Sequence, residues 1–429
     1  MRHGITAILS PIAVIALSAA PARAQDDPGT VAAATRAALA ERYVLPDVAT
    51  KLGAALASPD RYRGLQGEAL ADRINADMAR VTPDKHLSLR FDPRTAAMLA
   101  SRPPAGDDDD APLPPGVARM ILRLNAGVRA METLPGNIRM VAYDGFIWGT
   151  PEAEAAIAGA MRFLQGGDAY IIDLRRNGGG SPEAVAAIAS YFVPAGTPLM
   201  RFEMRGKPGE ATTAPAAPFS LAGKPLYVLT SGQTASAAEE FATHVSALGF
   251  GTLVGERTAG AGFRNDMVPI GKSYVLSVST GRAISLKTGK DWERVGVTPA
   301  IVTPPDQALA AAKVAAMTAI AARAPADERR EDERLVAFYR ASANPVRLAR
   351  PLADYAGRYG NRVVAVADNG LTSARIGRAA FPLVAVAADS VVPETDPTTR
   401  FRFVEANGQI IAMEVERADG STERADRIK

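Results

Sequence analysis

The chain has 429 residues, 47% of them hydrophobic and 22% charged, which is the composition of a globular protein with enough apolar material for two or three folding units. It contains no cysteine, which excludes a thiol nucleophile, thiolate-held zinc, disulfides and a cysteine-linked lipid anchor. The formal charge is +3, and removing residues 1–24 takes away Arg2 and Arg23 and no acid, leaving +1, so the charge gives no reason to expect a nucleic-acid partner.

Residues 1–24 read as a cleavable export signal. Arg2 supplies the positive start, residues 5–17 the apolar run, and Ala22-Arg23-Ala24 a small-x-small cleavage site before Gln25. The apolar run is short for a bilayer span, so the expectation is an exported, periplasmic or secreted protein without stable membrane insertion after cleavage.

Residues 25–100 are expected to form an N-terminal helical subdomain. Leu70, Ile74 and Met78 recur every four residues, and Pro46 and Ser58-Pro59-Asp60 divide the segment into about three helices. Residues 101–116 form a proline- and aspartate-rich linker, and the run Asp107 to Asp110 reads as a solvated loop rather than a cation site.

From residue 117 to 325 strands and helices alternate. Strands are expected at 138–143, 170–174, 226–230 and 252–254, and helices at 151–164, 182–192, 237–248 and 306–323. Such alternation specifies an α/β core with a mainly parallel sheet. A charged segment at 326–345 leads to residues 346–429. There, Asn369-Gly370 and Asn407-Gly408 are each flanked by strand-like runs, the signature of hairpins in a small antiparallel β module.

Three segments carry candidate chemistry. Residues 173–181, DLRRNGGGS, leave a buried strand and enter a helix; three glycines allow close backbone approach to a ligand, although a tight β–α turn needs glycine as well. Residues 230–240, TSGQTASAAEE, also join a strand to a helix. Ser236 there stands at the positive end of a helix dipole, and an ordinary helix cap explains a serine equally well on this segment alone. Residues 291–299, DWERVGVTP, read as a loop before a short strand. No phosphate loop, zinc motif or dinucleotide fingerprint occurs, so no cofactor or metal is expected.

Taken together and in order, YIIDLRRNGGG, LTSGQTASAAEEFA, GERTAGAGF and WERVGVTPAIVTP resemble the serine peptidase family of carboxyl-terminal processing proteases (S41). LPGNIRMVAYDGF and DKHLSLRF are similar to its branch of interphotoreceptor retinoid-binding-protein-like and tricorn-like members. The resemblance covers roughly residues 31–304. It implies a crotonase-like core, peptide or unfolded-protein substrates, and Ser236 as nucleophile.

The processing-protease branch pairs that serine with a lysine 25 positions later, where this chain has Ala261. The tricorn-like branch instead implies His86 as base and Glu293 as acid, with an oxyanion hole from the Ala237 amide and one amide of Gly178 or Gly179. Imidazole titrates where a serine needs its proton removed, and a carboxylate fixes the imidazole tautomer. That branch carries a serine where this chain has Lys85.

His244, eight residues after Ser236 and about 12 Å along a regular helix, is expected to be a packing residue. Ser181 and Ser231 are the rival serines, and Asp84 and Glu256 the rival acids. Lys85, Lys272, Lys287 and Lys290 are the rival bases. Residues 93–134 leave too little chain for the peptide-tail-binding PDZ domain of the processing proteases. The competing reading is a catalytically inactive member that binds an apolar ligand or a peptide.

Overall fold

The computed structural model describes residues 26–101, 115–368 and 370–428; the expected signal, most of the expected linker and Asn369 lie outside them. Helices α1 (Pro28–Arg42), α2 (Pro46–Ala55) and α3 (Gly67–Ala79) open the fold, each carrying apolar residues on its inward side. Their core includes Leu39, Leu52, Leu70 and Ile74. A short strand β1 (Ser88–Phe91) and helices α4 (Pro93–Ala100) and α5 (Pro115–Arg123) follow.

The α/β core begins with β2 (Val128–Leu134), β3 (Ile138–Tyr143), α6 (Pro151–Gln165), β4 (Ala169–Asp173) and α7 (Pro182–Ala189). Next come β5 (Pro198–Met204), β6 (Glu210–Thr213), β7 (Leu226–Thr230), α8 (Ala237–Leu248) and β8 (Thr252–Gly255). β9 (Phe263–Ile270), β10 (Tyr274–Ser285), β11 (Ile301–Val302) and α9 (Ala308–Ala321) complete it.

Six of these strands form one sheet in the order β11-β8-β7-β4-β3-β2. Every pairing from β11 to β3 is parallel, and only β2 runs antiparallel to its neighbour. Successive residues face opposite sides, as strand geometry requires. Val141, Ile172, Val228 and Leu253 pack under α6, α7 and α8. Their neighbours Met140, Ile171, Leu229 and Val254 pack under α9 and α10 (Arg329–Ala343). The sheet is therefore covered on both faces, which is why β4 and β7 are apolar throughout rather than alternating.

A second sheet was not anticipated from the residue pattern. It is wholly antiparallel, in the order β1-β10-β5-β6, with β9 also on β10. Its pairings join β1 to β10 across 183 to 189 positions, from Ser88↔Ser277 to Phe91↔Tyr274, a contact that no local pattern announces. Through it the N-terminal helices share a core with Ile270, Tyr274, Leu276 and Val278 of the later chain. Asn75 of α3 holds β1 in place, donating to the Leu89 carbonyl at 2.8 Å and accepting the Leu89 N–H at 2.7 Å.

The helix expected over 182–192 stops at Ala189, where the Ser190 hydroxyl turns back onto the Ala187 carbonyl at 2.7 Å and Pro194 follows. The C-terminal module closes into a barrel of eight antiparallel strands: β12 (Gly357–Tyr359), β13 (Arg362–Ala367), β14 (Gly370–Arg375), β15 (Phe381–Ala387), β16 (Ser390–Pro393), β17 (Arg400–Ala406), β18 (Gln409–Glu416) and β19 (Thr422–Ile428). β12 pairs with β19, so no edge strand remains in it.

Leu276 is fully buried where the N-terminal helices meet β10. Leu276→Ala is expected to cost about 2–5 kcal/mol through lost burial and a residual cavity. Met267, on neighbouring β9, is 36% exposed, and Met267→Ala should change stability by under about 0.5 kcal/mol. Urea unfolding of the two variants checks the difference.

Candidate active site at the carboxyl ends of the parallel strands

The loops that leave the adjacent strands β4 and β7 are tied to each other. Ser231 Oγ donates to the Arg175 carbonyl at 2.6 Å, Thr234 Oγ1 to the Leu174 carbonyl at 2.8 Å, and the Ala235 N–H to the Asn177 carbonyl at 3.1 Å. Crevices outside the carboxyl ends of strands are where open α/β sheets bind ligands.

Ser236 sits where the second loop turns into α8, with φ 55° and ψ −124°. A non-glycine residue held there stores about 1–3 kcal/mol of strain, so its surroundings must over-determine it. One constraint is Gly179, at φ 110°: a Cβ there would lie 2.7 Å from the Ser236 Cβ and 3.1 Å from the Ala237 nitrogen. Only glycine lets the two loops approach this closely. Gly180, at φ 137°, packs its Cα against Phe146, whose carbonyl would stand 2.0 Å from an added Cβ.

The other constraint is Glu239, which is fully buried in the first turn of α8. Its Oε2 accepts the N–H groups of Ser236 at 3.0 Å and Ala261 at 2.8 Å. Its Oε1 accepts the Thr258 hydroxyl at 2.6 Å and the Gly260 N–H at 2.6 Å. One carboxylate thus holds the backbone of the serine turn and the loop after β8 together. Sequence reasoning passed over Glu239, although Ser236-Ala237-Ala238-Glu239 has the spacing of a capping box, which would have found it.

The loop held by Glu239 meets the two remaining segments. The Arg294 N–H donates to the Gly260 carbonyl at 2.9 Å, and Trp292 Nε1 to the Ala261 carbonyl at 3.2 Å. Lys85 Nζ donates to the Ala259 carbonyl, and Arg294 reaches the Thr82 hydroxyl at 2.9 Å. β1 and β10 position the stretch before β1, since the Ser277 hydroxyl donates to the His86 carbonyl at 2.5 Å. Residues far apart in the chain, 82–86, 236–239, 258–262 and 292–294, therefore form one contiguous cluster.

His86 is half-buried, and its Nδ1 is buried without a hydrogen-bond partner. Burial pushes the imidazole below the ordinary histidine value, against the opposing charges of Asp84 and Glu239. Glu293 is anchored by one oxygen, Oε2, which accepts the Gly262 N–H at 2.7 Å; its Oε1 is buried without a hydrogen bond, 4.0 Å from Arg294 Nε. Burial pushes its carboxyl up to about 7, assisted by Asp84 and opposed by the Gly262 N–H and Arg294.

Asp84 has both oxygens engaged, Oδ2 by the Tyr43 hydroxyl at 3.0 Å and Oδ1 by the His86 N–H at 2.9 Å. Glu256 accepts the Gly232 N–H at 3.2 Å at the solvent-exposed end of β8.

The rival serines are taken up structurally. Ser181 caps α7, accepting N–H groups of Glu183 and Ala184, and Ser231 holds the Arg175 carbonyl. His244 is buried in α8 with its Nε2 3.6 Å from Glu240, a packed position as expected. Lys272, Lys287 and Lys290 are exposed.

The Gly179 N–H donates to Asn177 Oδ1 at 2.8 Å, whereas the Gly178 and Ala237 N–H groups have no acceptor among the described residues. An anion forming beside Ser236 would meet free amides at the positive end of α8. Among the described residues no group of three or more His, Asp or Glu side chains is placed to hold a metal. No described helix is long and apolar enough to cross a membrane.

Residues 136–303, which include Gly178, Ser236 and Glu293 but not His86, match the family described as Peptidase family S41. This segment, under half of the chain, is what is similar to peptidase family S41. It is 30% identical over 176 residues to the carboxyl-terminal-processing protease of Synechocystis sp., covering 39% of this chain and 38% of that one. With the carboxy-terminal-processing protease of Bartonella bacilliformis it shares 24% identity over 209 residues, 45% and 44% of the two chains. The matches thus span under half the length of these relatives. A solved photosystem II D1 C-terminal processing protease superposes with a TM-score of 0.43 at 18% identity, covering 66% of this chain and 94% of that one.

Glu239→Gln keeps the shape of the side chain but turns an amide NH2 toward backbone N–H groups. Buried donors left without an acceptor cost about 1–3 kcal/mol each, so a loss of about 2–4 kcal/mol in urea unfolding is expected.

For Glu293, a folded-state value of about 7 against 4.5 in the unfolded chain means that folding favours the protonated form. Its contribution is fully present below pH 4.5 and is lost as the pH rises through about 7. Glu293→Gln should therefore raise Tm relative to the native protein more at pH 8 than at pH 4. Melting curves across that range check the sign.

Proposed function

We propose that this chain is a serine peptidase that hydrolyses peptide bonds in peptides or unfolded proteins outside the cytoplasm. Ser236 is the nucleophile, His86 the general base, and Glu293 the acid that orients it. The single observation that carries this reading is the Ser236 turn: a strained serine at a helix start, seated on Gly179, beside unoccupied amides, within the segment similar to family S41.

In the reaction, His86 takes the Ser236 proton as Oγ attacks the scissile carbonyl carbon. The oxyanion develops against the N–H groups of Ala237 and Gly178. His86 then passes its proton to the departing amine, and water attacks the acyl-enzyme by the same route in reverse order. The depressed His86 value is in keeping with this role, because it favours the neutral imidazole, whose free nitrogen can accept a proton. Glu293 supports its own role over Asp84 by having one oxygen anchored and the other without a hydrogen bond, 4.0 Å from Arg294 Nε. Ala261 occupies the position of the lysine used by the processing branch, which leaves the base to a histidine.

We assign the substrate to a cavity of about 780 Å³ lined by Pro182 and Glu183, after the glycine loop, although none of Ser236, His86 and Glu293 is in its wall. Its walls include Trp148, Tyr191, Phe202 and Arg264. Such walls suit the apolar side chains exposed by an unfolded polypeptide. The export part of the reading rests on residues 1–24.

Labelling by a fluorophosphonate separates an enzyme from a binding module of the same fold. The native protein should label, while Ser236→Ala should not label and should lose hydrolysis of a denatured protein substrate by about ten-thousand-fold or more. His86→Ala should lose both as well, and Asp84→Asn should retain turnover where Glu293→Gln does not. Labelling that persists in Ser236→Ala would overturn the nucleophile. Collapse in Asp84→Asn with near-native Glu293→Gln would move the acid role to Asp84.

A further inference from the structure

The C-terminal barrel carries a charge arrangement that the peptidase site does not use. Arg362 begins β13 and Arg375 ends β14, and the pairing register sets them directly opposite each other. Like charges directly opposed across an antiparallel pair repel. Arg378 follows in the next turn and Arg417 follows β18, and all four arginines line one cavity of about 500 Å³. Phe381, Phe401 and Val415 supply apolar wall to the same cavity, and the Arg362 guanidinium lies 4.8 Å from the centre of the Phe401 ring.

The protein offsets this charge only in part. Arg417 pairs with Glu423 at 2.5 Å. Asp396 is the acid in the cavity wall; the hydroxyls of Thr398 and Thr399 donate to its carboxylate at 2.8 and 2.7 Å and favour its charged form, so it offsets one of the four arginines. Among the described residues Arg362, Arg375 and Arg378 form no ion pair and no side-chain hydrogen bond. Burial and the charges of Arg375 and Arg417 hold the Arg362 guanidinium below its usual value, with Glu423 opposing. Arg362 is half-buried while Arg375 and Arg378 are exposed, so solvent screens their repulsion in part and leaves the guanidinium groups open to an anion.

We propose that this end of the barrel binds an organic phosphate: a phosphate group clamped by Arg362, Arg375 and Arg378, carried on a small apolar body that rests on Phe381 and Phe401. Planar guanidinium forks match phosphate oxygens bidentately, and a doubly charged group answers several uncompensated cations better than a singly charged one. The cavity exceeds the size of bare phosphate, and its aromatic wall calls for a body beyond the anion.

Calorimetric titration of the whole protein at low ionic strength with phenyl phosphate, inorganic phosphate and benzoate tests this. Phenyl phosphate should bind more tightly than either of the others. Arg362→Gln and Arg375→Gln should each weaken it by about tenfold or more, which is 1.4 kcal/mol.

Melting supplies a second readout. Without phosphate, Arg375→Gln should raise Tm by relieving repulsion; with saturating phenyl phosphate, the native protein should become the more stable of the two. No phenyl phosphate binding, binding unchanged in both variants, or a lower Tm for Arg375→Gln without ligand would overturn the proposal. Inorganic phosphate binding as tightly as phenyl phosphate would remove the apolar body from it. Repeating the titration on Ser236→Ala separates this site from the peptidase reading, since neither depends on the other.

Discussion

The buried Glu239 carboxylate is the interaction on which the arrangement of the site depends. A carboxylate with no exposure is costly to bury unless its oxygens are satisfied, and here four donors satisfy them. Because those donors come from the serine turn and from the loop after β8, satisfying the charge also fixes the two loops relative to each other. The strain at Ser236 is held by that same network and by the missing side chain of Gly179. The loop then acts as a platform on which Glu293, Arg294 and Lys85 rest.

The pattern of unsatisfied groups complements this rigidity. Most polar atoms around the cluster are paired, yet His86 Nδ1, Glu293 Oε1 and Asn177 Nδ2 are buried without hydrogen-bond partners. Buried polar atoms left unpaired are rare and costly, and they gather at sites with work to do. These three lie on or beside the residues that the proposed mechanism employs, while others, such as those of Arg73, Ser373 and Arg400, lie elsewhere in the fold. The platform is thus stable where it positions groups and unsatisfied where a substrate or a moving proton would complete it.

The two sheets divide the labour. The parallel sheet, apolar on both faces, brings the loops after β4, β7 and β8 to one end, which accounts for Gly178, Ser236 and the 258–262 loop. The antiparallel sheet carries β1 against β10 and fixes the stretch before β1, where Lys85, next to His86, reaches the Ala259 carbonyl of the loop after β8. The barrel stands apart from this task, and its arginine cluster has a separate chemistry.

Local patterns in the chain were enough to determine the α/β core, its strand–helix alternation, the Asn407-Gly408 hairpin and the glycine loop beside Ser236. Each of these rests on the period of apolar residues or on a turn that only certain residues adopt, and both are properties of neighbours in sequence. The cluster around Ser236 was legible only as a resemblance among separated motifs, since nothing near His86 says which strand β1 will join.

What the tertiary structure alone decided were the long-range pairings: β1 on β10, β12 on β19, and Arg362 opposite Arg375. The same holds for Glu239. Its spacing from Ser236 spells a helix cap, but its hold on Thr258, Gly260 and Ala261 exists only once β7 and β8 lie side by side. Hydrogen bonds between segments depend on register and burial across the whole fold, and neither is encoded in any short stretch of residues.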